Sequence, residues 1–199
     1  GLDLSGLDMS GLDFTGANLK EVNLNEAILE GANFEKCDFT EAELHEADLT
    51  DANFSECVLA KTSFEGANLS QADFSDAELD ATDFSNANLS DANLSRHDLR
   101  KVTLEGADFR RTNLTECDFS EMEFKEMTFS KANCSRANLE GSKFIECDLS
   151  RANFKNANFK KADLSDSKLN QGNFYAADFT DTLLIRAQAK GANMAEATL

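Results

Sequence analysis

Five cysteines, two histidines and 37 Asp and Glu are the residues of this 199-residue chain with the chemistry to react, ligate or attract. Cys37 and Cys57 lie 20 residues apart, as do His97 and Cys117, and the carboxylates pair at the same separation in Glu21 with Glu41 and Glu26 with Glu46. A thiol beside an imidazole could act as nucleophile and base. Two thiols could close a disulfide, and paired carboxylates could divide acid and base work or hold a divalent cation. No C-x-x-C zinc spacing, phosphate loop, EF-hand loop or glycine-rich calcium repeat accompanies them. The expectation is therefore no enzyme and no cofactor or metal. Which pairs meet depends on the elements that carry them.

Those elements follow from one periodicity. Residues 4, 9, 14 and onward to 199 form a comb of step five with 40 teeth, of which 20 are Leu, 16 Phe and two Met; Cys134 and Ala189 are the exceptions. All 16 Phe of the chain stand on this comb. Two residues before each tooth a second comb holds 21 Ala, together with Cys37, Cys57, Cys117 and Cys147. The residue just before each tooth is Asp at 13 places and Asn at 14. A step of five fits neither a helix nor a strand. It requires a chain that turns a corner every five residues and points one small and one large side chain inward, so that four sides close a coil of 20.

Columns 20 residues apart support this independently. Phe14, Phe34, Phe54 and Phe74 share one side, which later holds Phe154 and Phe174. The residues just before that side's teeth are Asn in eight of ten coils, an arrangement that stacked amides could bond through. About ten coils at a strand spacing near 4.8 Å would make a rod roughly 48 Å long. The absence of proline agrees, because each backbone N–H would bond the neighbouring coil.

The pattern A(D/N)LXX, as in Ala17-Asn18-Leu19, Ala67-Asn68-Leu69-Ser70 and Ala152-Asn153-Phe154, resembles the pentapeptide repeat family over the whole chain without a frame shift. The resemblance implies an all-β, right-handed, four-sided parallel β-helix spanning residues 1–199 as a single uninterrupted array. The comb begins at Leu4 and is still running at Leu199, so the chain is expected to be a segment of a longer protein. A flanking domain, a removed segment or self-association, as a homodimer or end to end, would cover the last coils.

Within such coils the reactive pairs read differently. Stacked Cys37 and Cys57 would have Cα atoms about 4.8 Å apart, close enough for a disulfide. In-register neighbours aim their Cβ atoms the same way, however, so small buried thiols standing in for Ala are the alternative. His97 occupies an inward small position between Ala77 and Cys117, where it either bulges the coil or turns outward. Met122 and Met127 mark a second place where the coil should swell.

Charge is the strongest functional signal. The net charge is −18, yet residues 1–100 hold 22 acidic and 5 basic residues while residues 101–199 hold 15 and 14. Glu21, Glu26, Glu41 and Glu46 form a candidate acidic interaction surface, and Arg111, Lys131 and Arg151 a basic column near Lys155, Lys160 and Lys161. Free drift of outward polar positions would also produce such a split. Direct nucleic-acid binding is not expected from this charge, and no apolar run spans a membrane. The reduced-thiol composition points to the cytoplasm. Two functions remain. One is a non-catalytic rod serving as a protein–protein interaction scaffold. The other, implied by the resemblance, is a bacterial acidic DNA mimic that binds DNA gyrase or a related topoisomerase, as quinolone-resistance members of the family do.

Overall fold

A computed structural model describes residues 1–199. The chain turns a corner every five residues, and each corner begins at a tooth. At Leu24-Asn25-Glu26-Ala27 the Ala27 N–H donates to the Leu24 carbonyl at 3.1 Å and Glu26 has φ of 59°. A positive φ at the third residue is the signature of a type II turn, where glycine is the unstrained choice. Here 30 non-glycine residues, with φ from 53° to 68°, occupy that place. Each costs about 1–2 kcal/mol in isolation, so the stacking of coils must over-determine the corners. Lys101 is the one non-terminal corner residue that stays outside this region.

Asp and Asn precede the teeth for a local reason. The middle N–H of each corner has no backbone partner within its coil, and the Asx side chain supplies one: Ser55 N–H donates to Asn53 Oδ1 at 3.0 Å, and Ser75 N–H to Asp73 Oδ1 at 3.0 Å. Where the corner residue is Ser or Thr, its hydroxyl bonds the same carboxylate oxygen, as Thr15 does to Asp13 at 2.6 Å.

Between coils the bonds repeat on every side. Phe34 N–H donates forward to Asn53 O at 2.8 Å, Lys36 N–H to Ser55 O at 3.0 Å, and Asn53 N–H back to Ala32 O at 3.0 Å. Residues 20 apart are thereby paired in parallel, as in Asn33 with Asn53 and Asp48 with Asn68. The fold is an all-β, four-sided parallel β-helix. Its bridges lengthen into strands only at β1 (Glu123–Lys125) and β2 (Lys143–Ile145), paired in parallel with Phe124 opposite Phe144. Met122 and Met127 flank β1. Met127 is buried and Met122 half-buried.

The chain divides into two compact units. Unit 1 comprises Gly1–Asn93 with Lys101–Asp108, and unit 2 comprises Leu94–Arg100 with Phe109–Leu199. In unit 1, Phe14, Phe34, Phe54 and Phe74 stack in sequence with ring centroids 5.1 Å apart at each step, and Phe64 stacks on Phe84 at 5.2 Å. In unit 2 the rings meet only in stacked or tilted pairs, including Phe109 with Phe129 at 4.8 Å and Phe154 with Phe174 at 5.4 Å. Phe34, Phe54, Phe74, Phe154 and Phe174 are fully buried, while Phe14 is half-buried. At the first coil Leu2, Leu7 and Leu12 occupy small-comb positions and are exposed.

Polar residues on the small comb have a specific use. Cys57 Sγ donates to Phe34 O at 2.8 Å, Thr62 Oγ1 to Phe39 O at 2.8 Å and Thr82 Oγ1 to Leu59 O at 2.9 Å; Ser167 makes the same bond to Phe144 O. The carbonyl is always that of a tooth 23 residues back, one coil and one corner away. No buried side-chain nitrogen or oxygen is left without a partner.

Candidate interaction surfaces

The thiols are all free and buried. Cys37 donates to Phe14 O at 2.9 Å and Cys57 to Phe34 O, so both sulfurs are aimed at backbone rather than at each other. Burial pushes the Cys57 and Cys117 thiols up to about 12 and Cys147 to about 11, which leaves them protonated at neutral pH. Cys117 donates to Leu94 O at 3.0 Å, while His97 is half-buried and its carbonyl accepts from Asp118 N–H at 3.0 Å. The Cys117 sulfur is thus committed to backbone. No group of three or more His, Cys, Asp or Glu is arranged to hold a metal ion.

The acidic residues stand on corners. Glu21, Glu26, Glu41 and Glu46 all have positive φ, from 53° to 59°, which throws their side chains outward. Glu41 accepts from Lys61 Nζ at 2.6 Å across one coil, and this bond holds its carboxyl below the usual glutamate range. Both partners are about half exposed or more, so the pair adds little stability. Glu21, Glu26 and Glu46 have no ion-pair partner. Around Glu26 and Glu46, a depression of about 440 Å³ is lined by Asn25, His45, Glu65 and Gly66 as well. Gly66 follows Glu46 in the corner column, and its missing side chain opens a notch there.

The basic residues occupy corners of unit 2. Arg111, Lys131 and Arg151 have φ of 62°, 64° and 60° and are exposed. Arg151 Nε donates to Gln171 Oε1 at 3.0 Å, and Lys131 has no ion pair. Their sequence neighbours do not join them as a free patch: Lys160 pairs with Asp178 at 3.2 Å, Lys161 with Glu140 at 3.4 Å, and Lys155 lies 5.4 Å over the Tyr175 ring.

Charge follows the division into units. Unit 1 holds 23 acidic and 4 basic residues, a net of −19; unit 2 holds 14 and 15, a net of +1. Sequence reasoning missed two surface features. One is the depression at the Glu26–Glu46 corner, signalled by the glycine at position 66. The other is the corner ion pairing that removes Glu41 from the free carboxylates, which the Glu41 to Lys61 spacing of 20 could have revealed.

A four-sided coil with Asx before each inward Leu or Phe, and columns in place of a cleft, defines a solenoid repeat protein. Residues 27–103 match a model of a pentapeptide repeat region, and residues 92–130 and 132–171 match a model of pentapeptide repeats in eight copies. The chain belongs to the pentapeptide repeat family. Among solved structures it is similar to HetL, a pentapeptide repeat protein involved in heterocyst differentiation regulation from the cyanobacterium Nostoc sp. strain PCC 7120. That match has 26% identity and a TM-score of 0.43, and covers 100% of this chain and 87% of HetL. It is also similar to full-length QnrB1, a plasmid-mediated fluoroquinolone resistance protein, at 17% identity over 96% of this chain and 92% of that one, with a TM-score of 0.41. A pentapeptide repeat protein of the Arabidopsis thaliana thylakoid lumen matches at 26% identity over 83% of this chain and 70% of its own, with a TM-score of 0.21. No curated protein matches the chain. No helix of the structure is long and apolar enough to cross a membrane.

Proposed function

We propose that this protein is a non-catalytic scaffold that binds another protein through the outward columns of its coils, with unit 1 receiving a basic partner surface. The observation that carries this is the concentration of a −19 charge on unit 1, where Glu21, Glu26 and Glu46 stand on corners without an ion pair. A field of this kind raises the encounter rate with a cationic surface and excludes anionic ones. Capture on the immobilised chain, compared with a variant carrying Glu21→Ser, Glu26→Ser, Glu41→Ser and Glu46→Ser, tests it. A partner held by the parent and released by the variant supports the reading, and a partner held equally by both removes these carboxylates from it.

A narrower form makes DNA gyrase the partner, with unit 1 standing in for duplex phosphates. Its support is charge density: about five coils at about 4.8 Å spread 19 charges over roughly 24 Å, or one per ~1.3 Å, against one per about 1.7 Å of duplex axis. Such a role is cytoplasmic, where thiols stay reduced. Inhibition of gyrase supercoiling by the parent, and its loss in the four-Ser variant, is the expected result. A parent that leaves supercoiling untouched eliminates gyrase and retains the broader scaffold.

A further inference from the structure

Most outward columns of unit 2 mix signs, so that a cation meets a carboxylate one coil away. Arg136 bonds Glu116 at 2.7 Å, Arg186 bonds Asp166 at 2.5 Å, and Lys143 bonds Glu123. The column of Arg111, Lys131 and Arg151 differs, because one coil from each cation stands another cation, and the column ends in the neutral Gln171. Backbone bonds hold these corners in place: Arg111 N–H donates to Ser130 O at 3.1 Å and Lys131 N–H to Ser150 O at 3.0 Å. The positive charges therefore recur at the coil spacing of about 4.8 Å.

That spacing selects among anions. An extended peptide presents side chains on one face about every 6.8 Å, so its carboxylates drift out of step with three cations. Carboxylates on stacked coils stay in step. Unit 1 carries such a set at the corner of Glu26 and Glu46, held by Glu26 N–H to His45 O at 2.8 Å and Glu46 N–H to Glu65 O at 2.9 Å. Glu65 borders the same depression, and the notch at Gly66 gives an arginine head room to enter.

We propose that a second copy of this chain docks on the basic column of unit 2, setting its Glu26–Glu46 corner against Arg111, Lys131 and Arg151 in matched coil register. The two surfaces differ, so the contact is heterologous, and it builds a closed assembly or an open chain of copies according to whether the rotation closes. It uses carboxylates that the proposed basic partner would also use, and self-association would therefore compete with that partner.

Sedimentation equilibrium of the full chain at one fixed ionic strength tests this without any partner present, so its failure leaves the scaffold reading standing. The variants are Glu26→Lys with Glu46→Lys, and Arg111→Glu with Lys131→Glu and Arg151→Glu. Corners already accept both residue types at positive φ, as Lys36 and Glu41 show, and far-UV circular dichroism checks the fold. The parent is expected to gain mass with concentration, each variant alone to associate more than about tenfold more weakly, and an equal mixture of the two to recover the parent's association. A parent that is monomeric at every concentration overturns the proposal. So does a variant that associates like the parent, or a mixture that fails to recover association.

Discussion

Unit 1 stacks four phenylalanines without interruption and carries 23 acidic residues against 4 basic ones, whereas unit 2 breaks its ring columns into pairs and nearly balances its charges. Both units nevertheless share one backbone: the same corner, the same Asx bond and the same three bonds per side. The difference teaches that the inward and outward columns are specified separately. Inward positions answer to volume and to the tooth carbonyls, while outward positions answer to solvent and partners. A net of −19 and a net of +1 therefore sit on equivalent scaffolds. The cost of unbalanced charge in unit 1 is small, because like charges about 5 Å apart in water repel by roughly 1 kcal/mol or less.

The largest test of this comparison lies in the cores. Phe54 is stacked on both faces, by Phe34 and Phe74, and Phe154 on one, by Phe174. Phe54→Asp, an unpaired charge inside a ring column, is expected to abolish amide-exchange protection throughout unit 1. Phe54→Ala should cost about 3–5 kcal/mol in denaturant melts, with Phe154→Ala at the lower end of that range. A soluble Phe54→Asp protein with an unchanged β-type circular dichroism spectrum would show the inward assignment to be wrong.

A smaller effect separates the amide ladders. In unit 2, Asn153 Nδ2 donates to Asn133 Oδ1 at 2.9 Å and Asn173 Nδ2 to Asn153 Oδ1 at 3.0 Å. In unit 1, Asn53 donates to Asn33 at 2.9 Å, but Asp73 has no amide to pass the chain on to Asn53. Asp73→Asn should stabilise the protein by about 0.5–1.5 kcal/mol and Asn153→Asp should destabilise it by a similar amount. Thermal melts that move the two variants in the same direction would remove the ladder as the cause.

The smallest effect is acid sensitivity. The hydroxyls of Ser5, Ser10 and Thr15, and then their backbone N–H groups, hold the carboxyls of Asp3, Asp8 and Asp13 below the ordinary aspartate value of 3.8. Thr180 does the same at Asp178, the one such hydroxyl-led case in unit 2. Ionised forms are favoured in the fold, so this stabilisation is complete above pH 3.8 and is lost as the pH falls through the lowered folded values. Exchange protection in the first coil should therefore fade on acidification before that around Asp178. Asp13→Asn, which keeps an oxygen for the Thr15 N–H as Asn18 does for Lys20, should flatten the response at that corner.

Much of this was legible in the sequence. The comb places teeth such as Phe34 and Leu49 inward, and the 20-residue columns give the four sides, because the core admits only residues that fill its fixed volume. The Asn column at 133, 153 and 173 also reads as a ladder. What stayed hidden lies within the corner. A period of five does not say that Asn53 turns its oxygen to the N–H two residues on, or that Glu26 takes a positive φ. Cys57 and Thr62 read as small residues, and their bonds to tooth carbonyls 23 residues back emerge only once the turn geometry is known. At the surface, the excess of acid in the first hundred residues anticipates unit 1, but the depression beside Glu46 depends on a glycine one coil away.

The uniform coil has a consequence for folding. Inter-coil backbone bonds join residues 19 or 21 apart wherever they lie, as in Phe34 to Asn53 and Asn53 to Ala32. The loop to be closed is thus always short, and a longer chain would not raise that entropy. The same uniformity allows a strand to pair one coil out of step with every corner and Asx bond intact. Such a slip is opposed only by what breaks the repetition: the end of the Phe column after Phe74, the thiol at Cys134 where a ring is expected, the methionines flanking β1, and the corner at Lys101. In a molecule of near-identical coils, the irregular residues are the ones that keep count.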